Sequence, residues 1–543
     1  MPTEKSPLLP TNIGGHRPSQ RHTKWGAGLA VALICSIFGL ALVVSLVLLI
    51  IPVSNHPGPQ PFRIAIIGAG PAGVFTAAHL RKLSGNLGRP LEIEIFERKA
   101  TVGGRLTPES PLHPFGDPHQ PALVAESASY GSLSTGLTDI LKNYGVNPQL
   151  HNNVETVGYH FYSNYDLVRP SSAASVWSRA WEFWCFGYST GRSKDFGQQS
   201  RQRIRRIHSL PTLNSIQDLV KNLDLGRLRS QTPPHSISDN GISKWYTDKV
   251  LKGEMAIQYG QDLDSLSGLA LSMAAYDADE GKGQAGGNLK SILERVLASS
   301  RVNLHLSTDV IGIRKVNSTY WVLAYREPGT ASDTAAFFDG IILAAPYVSS
   351  ELEVRNSSLA VPPVALSYVP RHITWFTLPS PSNNHEILPE DRSIIHRPSF
   401  WPSAAPAPNF IELRHLGPLV RRRLPAQQEH LYRIFSSDRI EDAQIERLLS
   451  GSNPTWIARH EIPLAYPRLA PGSSLPPIVC DSRIWHTGAV EAVGNRVELS
   501  AWMGKNIAGL IAQELKRDIK STLTAMENTT APTLGSPLML WEG

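Results

Sequence analysis

Apolar and polar positions divide the chain into one long apolar run near the N-terminus and a globular remainder. Gly26 to Ile51 carries no charged residue over 26 positions. A membrane-spanning helix needs ~20 such residues, whereas a signal-peptide core has ~7–15. The run therefore predicts a retained transmembrane helix. SNHPGPQP, residues 54–61, reads as a linker. Beyond it the apolar runs become short. RIAII (63–67), then glycines and an Ala-rich segment to Leu83, predicts strand, turn and helix. LEIEIFE (91–97) and FDGIILAAP (338–346) predict further strands of the buried, parallel-sheet kind. NLKSILERVLASS (288–300) predicts a helix leading into the strands RVNLHL and DVIGI, and Arg496 to Lys516 predicts a last helix. Residues 150–283 read as mixed and mainly helical, and 347–479 as alternating and proline-broken.

Charge gives the apolar run a direction. Lys5, Arg17, Arg21 and Lys24 precede it, and Arg63 is the first Lys or Arg after it. The positive-inside rule leaves the N-terminus in the cytosol and carries the globular part across the membrane. Glu4 with Leu8 and Leu9 fits an acidic dileucine signal of the kind sorting adaptors read on the way to lysosomes or vacuoles. Asn317, Asn356 and Asn528 each begin an N-x-Ser/Thr acceptor for glycosylation, consistent with a lumenal domain. The chain has 543 residues, 41% hydrophobic and 18% charged. That excludes a disordered protein. A net charge of +6, spread along the chain, gives only weak support for nucleic acid and none for an acidic substrate. Of the three cysteines, Cys35 lies in the apolar run, and Cys185 and Cys480 can pair only if the fold joins them. No Cys/His cluster suggests a metal.

The candidate chemistry starts at the first turn. Gly68, Gly70 and Gly73 form GxGxxG around Pro71 and Ala72, between a strand and a helix. Such a turn brings backbone N–H groups and a helix N-terminus against a pyrophosphate. Glu97, 24 residues after Gly73, ends the next strand, where a carboxylate can accept the ribose hydroxyls of an adenosine half. These features fit NAD and FAD alike. Val102-Gly103-Gly104-Arg105 after Glu97-Arg98 adds a second close approach, and Arg105 can reach a phosphate or the flavin edge. The E-R-x(4)-GGR pattern resembles the amine-oxidase-like flavoproteins, which hold an extended FAD. That likeness places the backbone of Val310 against the adenine and the helix after GAVEAVGNRVELSA (488–501), with Glu498, Gly504 and Asn506, near the flavin ring.

A narrower resemblance rests on IAIIGAGPAG, EIFERKATVGGRL, IQYGQDLDSLSGLALSMAA (257–275), the glycine pair in AGGN (285–288), YRIFSSDRIEDAQI (432–445), IPLAYPRLAP (462–471) and Glu491-x(6)-Glu498-x-Ser500. Together they resemble the prenylcysteine oxidase family, also called prenylcysteine lyases. The resemblance implies an FAD-dependent, lumenal, lysosomal enzyme. It would cleave the thioether of a farnesyl- or geranylgeranyl-cysteine with O2 and water, giving cysteine, an isoprenoid aldehyde and H2O2. It implies an α/β fold, a Rossmann-like FAD-binding domain with an interleaved α+β substrate domain; the apolar run adds one preceding transmembrane helix, a departure from the family, which has a cleaved signal there. The expected boundaries are a cytosolic tail at 1–25, the membrane helix at 26–53 and a linker at 54–62. FAD-binding parts follow at 63–150, 284–346 and 480–516, substrate-domain parts at 151–283 and 347–479, and a flexible tail at 517–543. One stretch departs from the family: Glu126-Ser127-Ala128-Ser129-Tyr130-Gly131 stands where the family has E-A-G-G-S and a histidine. That leaves an amine or isoprenoid substrate, and a non-catalytic flavoprotein, as alternatives. Glu126 is a candidate by position only, and no residue is assigned as catalytic acid or base. The aromatic stretch with Trp177, Trp181, Phe183, Trp184 and Phe186 reads first as core, with an isoprenoid groove or bilayer contact as alternatives. Arg201, Arg203, Arg205 and Arg206 read as a solvated helix face, with anionic lipid as the alternative.

Overall fold

The computed structural model describes residues 60–530 apart from 109–111, 121, 124–134, 147–157, 164–165, 168–179, 181–182, 281–288, 318–319, 331, 348–352, 356–358, 364–365, 380–391, 397–409, 422–426 and 450–452. The apolar run 26–51, Glu4, Leu8, Leu9, Cys35, Glu126 with its turn to Gly131, Trp177, Trp181, the glycine pair at 286–287 and Asn356 lie outside the described residues. Among the described residues no helix is long and apolar enough to cross a membrane.

Six strands form the sheet that carries the glycine turns: β1 (Phe62–Ile67), β2 (Leu91–Phe96), β3 (Asn303–His305), β4 (Gly340–Leu343), β5 (Val479–Asp481) and β6 (Ile484–His486). Their order is β5-β6-β4-β1-β2-β3. All are parallel except β5, which runs antiparallel to β6 at the edge. β1 is apolar and nearly fully buried, as a strand covered on both faces must be. It pairs Phe62–Ile67 with Leu91–Phe96 on one side and Ile64–Ile67 with Gly340–Leu343 on the other. The chain winds outward through β2 and β3, then restarts beside β1 at β4. The carboxyl ends of β1 and β4 are thus a topological switch point, where such sheets bind ligands.

Two helices cover this sheet near the switch point. α1 (Pro71–Leu83) follows β1, and α2 (Val497–Thr530) closes the fold. Gly504 of α2 lies against the backbone of Phe75 and Thr76 in α1. Asn506 holds both the N–H and the carbonyl of Leu213, at 2.7 and 2.8 Å. α2 continues to Thr530, so the tail expected to be loose from 517 is helical over its first half. The reason is compositional: no Gly or Pro interrupts 517–530, and Pro532 is the first breaker.

A four-stranded sheet (Asp309–Lys315, Trp321–Arg326, Thr334–Phe338, Glu353–Arg355) packs beside β1 and β2. A separate seven-stranded sheet takes its long strands from Tyr368–Leu378, Phe410–Arg421, Gln427–Ser436 and Trp456–Pro467. Helices Lys252–Tyr259 and Gly268–Glu280 pack against it. Cys185 is half-buried and Cys480 buried, both as free thiols.

Two histidines, one half-buried and one buried, set an acid limit on stability. His79 Nδ1 of α1 and the Tyr144 hydroxyl share a hydrogen bond at 2.6 Å, and desolvation, aided by Lys505 and Lys82, pushes the His79 pKa down to about 3. His486, at the end of β6, is pushed down to about 4 by burial, against the opposing charge of Glu491. Both are neutral when folded, whereas an unfolded histidine protonates near 6.5. Stability is therefore complete above about pH 6.5 and falls as pH drops toward these folded values. We expect each histidine to cost about 2–3 kcal/mol at pH 4.5 relative to pH 7. Urea unfolding of the wild type and His79→Gln at the two pH values checks this. An equal pH loss in both proteins would contradict it.

Candidate dinucleotide-binding site

β1 delivers the chain into the first glycine turn. The Gly68 N–H donates to the Phe96 carbonyl at 2.8 Å, so the turn sits over the ends of both β1 and β2. Pro71 opens α1, a position where its missing N–H costs nothing. Ala72 follows in the same first turn. Gly70 precedes them with extended backbone, and no side chain caps the helix. The first turn thus keeps its outward N–H groups and the positive end of its dipole for an anion. Gly73 is set by a close approach: a Cβ there would lie 2.0 Å from the Gly68 carbonyl oxygen.

The second glycine turn folds onto the first. The Gly103 N–H donates to the Ala69 carbonyl at 3.0 Å. Gly104, at φ +58°, passes so near Gly70 that a Cβ would lie 3.0 Å from its Cα. Lys99, a residue the motif does not specify, fixes this turn by donating to the carbonyls of Gly104 and Thr107 at 2.9 Å each. The two glycine turns therefore pack directly on one another at the switch point.

Glu97 is buried at the mouth of β2. One oxygen accepts the Ala69 N–H at 2.7 Å and the other the Lys99 N–H at 2.9 Å. A carboxylate has about four acceptor sites, so capacity remains for ribose hydroxyls. Arg98 beside it is exposed. Val310 is buried in the strand Asp309–Lys315. The Thr308 N–H, just ahead of it, donates to the Glu97 carbonyl at 2.9 Å, which draws that strand alongside the end of β2.

Arg105 ties this cradle to the distant half of the chain. Its guanidinium donates to both oxygens of Glu491, at 2.5 and 3.1 Å, and to the Leu464 carbonyl at 3.3 Å. The Tyr368 hydroxyl donates to the same carboxylate at 3.0 Å. Leu464 belongs to LAYP and Glu491 to the closing segment, so motifs more than 350 residues from the glycine turn meet it at one side chain. YGQ joins the same assembly. Gln261 donates to the Pro467 carbonyl at 3.0 Å, and Asn495 donates to the Gln258 carbonyl at 3.4 Å. Beneath lies Arg371, buried between the rings of Phe435 and Tyr466 at 4.8 and 4.6 Å and donating to the Ala256 and Ile257 carbonyls.

The sequence expectation placed Glu498 toward the cofactor. The structure gives that buried carboxylate a 2.7 Å contact with His208 and a 3.4 Å contact with Arg496. Glu491, seven residues earlier, is the acid bonded to the GGR turn. Sequence reasoning quoted Glu491 within a motif but gave it no role; its only signal was membership of that motif. Among the described residues no cluster of His, Cys, Asp or Glu is arranged to hold a metal.

A family profile described as prenylcysteine lyase matches residues 171–522, nearly two thirds of the chain. The chain belongs to the prenylcysteine lyase family. A profile of NAD(P)-binding Rossmann-like domains matches residues 66–125. The Arg105–Glu491 pair thus bridges the Rossmann-like match and the prenylcysteine lyase match. Prenylcysteine oxidase 1 of Bos taurus is 24% identical over 506 residues, 88% of this chain and 94% of that protein. Farnesylcysteine lyase of Arabidopsis thaliana is 21% identical over 482 residues, covering 83% and 88%. Among solved structures, a redesigned triple mutant of putrescine oxidase superposes with a TM-score of 0.52 at 13% identity, covering 84% of this chain and 99% of that one. A fatty acid isomerase from P. acnes gives 0.51 at 12% identity, covering 82% and 97%. These superpositions establish a fold that the prenylcysteine lyase family shares with proteins of other activities.

Proposed function

We propose that the protein is an FAD-dependent oxidase that cleaves the thioether of a prenylated cysteine. The observation that carries this reading is the convergence at Arg105. The second glycine turn, which a nicotinamide site does not need, is bonded through Arg105 to the LAYP and closing segments. The relatives' names, prenylcysteine oxidase and farnesylcysteine lyase, supply the substrate class.

The residues have separable tasks. The first glycine turn and the start of α1, with Gly68, Gly70, Pro71, Ala72 and Gly73, receive the pyrophosphate. Glu97 takes the ribose hydroxyls, and Val310 lends backbone beside the adenine. Arg105, held by Glu491, keeps Gly104 against Gly70. The N-terminal end of α2 favours negative charge on a reduced ring. When bound, FAD supplies acceptance of a hydride and return of the electrons to O2. On the substrate, hydride leaves the carbon that is both allylic and bonded to sulfur, and water adds to the resulting cation. The hemithioacetal then collapses to cysteine and an isoprenoid aldehyde, while O2 becomes H2O2. The chain must position that C–H and exclude water. An apolar groove would hold the prenyl tail at about 0.8 kcal/mol per buried CH2. Purified full-length protein given farnesylcysteine in air should release thiol, aldehyde and peroxide in equal amounts. A yellow protein inert to thioethers but active on amines would refute the substrate.

The same proposal includes topology. The apolar run 26–51 anchors the chain once in the membrane, the N-terminus is cytosolic, and the globular part faces the lumen of a vacuole or lysosome. The basic residues before the run and the Glu4-Leu8-Leu9 pattern, read by a sorting adaptor, support this reading. Asn317 is exposed between strands Asp309–Lys315 and Trp321–Arg326, which supports a glycan there. Endoglycosidase treatment should shift the wild type more than Asn317→Gln. Identical mobility of the two before and after treatment would count against a lumenal Asn317.

A further inference from the structure

The aromatic stretch expected to be core is only partly so. Phe186 is buried and meets the buried Tyr246 edge-on at 5.3 Å. Its neighbours turn outward instead: Trp184 is 88% exposed, Tyr188 72% and Phe183 56%, and next to Tyr246, Trp245 is 57% exposed. The two segments are joined, because the Ser243 N–H donates to the Ser189 hydroxyl at 3.0 Å and Arg192 donates to the Gly241 carbonyl. Four large aromatics therefore share one neighbourhood of the surface. The correction has a physical cause. The stretch leads into the helix Ser189–Arg205, whose buried positions, Phe196, Ser200 and Ile204, leave residues just before it only one side to bury.

Exposed aromatics in such a group mark a contact surface rather than ordinary exposure. The surrounding charge identifies the partner. Next to the four rings in sequence stand the basic Arg192, Lys194, Lys244 and Lys249 and the acidic Asp195 and Asp248. Arg192, Lys194, Lys244 and Trp245 are exposed, and the Lys249 ammonium lies 4.8 Å from the centre of the Trp245 ring. The nearby Asp248 is engaged by Lys244 and Lys252, at 2.8 and 2.9 Å. Trp and Tyr with a basic surround is the chemistry of a bilayer interface: the rings enter at headgroup depth while the cations meet anionic lipid. A protein partner's apolar face would not call for the cations.

We infer that the face formed by Phe183, Trp184, Tyr188 and Trp245 docks onto an anionic lipid bilayer. This second membrane contact is separate from the apolar run at 26–51, and it does not depend on the redox reading. The test uses the full-length chain in nanodiscs containing 30 mol% phosphatidylserine, with and without bromine on the acyl chains. The emission of Trp184 and Trp245 is taken as the difference between wild type and Trp184→Phe/Trp245→Phe. We expect brominated lipid to quench this component at least two-fold. The quenching should disappear in phosphatidylcholine alone and in Arg192→Glu/Lys194→Glu, whose visible spectrum should match the wild type. Acrylamide is the control quencher. A component open to acrylamide but untouched by brominated lipid would overturn the inference in favour of a solvent face. A component shielded from both would overturn it in favour of a protein cover, either a second copy or another segment of this chain.

Discussion

Gly73→Val should purify as a colourless protein with no oxidase activity. A Cβ at this position falls 2.0 Å from the Gly68 carbonyl oxygen, inside any permissible contact. The clash is with backbone, so no rotamer relieves it. α1 must then move away from β1, and with it the first-turn N–H groups proposed to receive the pyrophosphate. Overpacking of this kind typically costs about 1–3 kcal/mol of stability, which a chain of this size can survive folded. Flavin content, read from the ratio of visible to ultraviolet absorbance, should fall below about a tenth of wild type, since each 1.4 kcal/mol lost in binding is a factor of ten. A yellow and active Gly73→Val protein would mean that this turn does not hold the cofactor.

Glu97→Leu should have the second-largest effect. The side chain is buried, and its two oxygens satisfy the N–H groups of Ala69 and Lys99. Leucine leaves both donors unpaired, at about 1–3 kcal/mol each, and removes the proposed acceptor for the ribose hydroxyls. FAD affinity should fall about a hundredfold or more, since hydrogen bonds to charged groups are worth about 1.5–3 kcal/mol. Glu97→Gln keeps an acceptor oxygen and should lose only about tenfold. Titration of the stripped proteins with FAD, followed by flavin fluorescence, checks both. Equal affinity of Glu97→Leu and wild type would remove Glu97 from the site.

The first βαβ unit was legible because its signals are local. An apolar strand, three glycines and an acid at the next strand's end all lie within 35 residues, and backbone sterics give each a separate reason. The partner of Arg105 was not legible. A charge pair between residues 386 positions apart leaves no periodic trace, and Arg105 was expected to turn to a phosphate or the ring edge. Arg371 shows the same limit: in sequence it is one arginine in an alternating strand, yet it is buried between two rings under the YGQ and LAYP motifs. Family resemblance had marked those motifs, and their bonding through Gln261 and Pro467 supplies the physical reason they go together. Trp184 illustrates the opposite error. Aromatic composition argued for burial, but which side of a segment is buried depends on what packs beneath it, and that is set by residues 196–204 and 246.

We propose that Gly70 and Gly104 together cradle a flavin that a prenylated cysteine can reduce. The most direct test is an anaerobic titration of the purified full-length protein with farnesylcysteine, followed in the visible spectrum. We expect a yellow protein that bleaches with one equivalent of substrate and regains its colour when O2 is admitted, with one equivalent of H2O2 formed. A colourless protein that takes up no FAD, or a yellow one whose spectrum farnesylcysteine leaves unchanged, would contradict it.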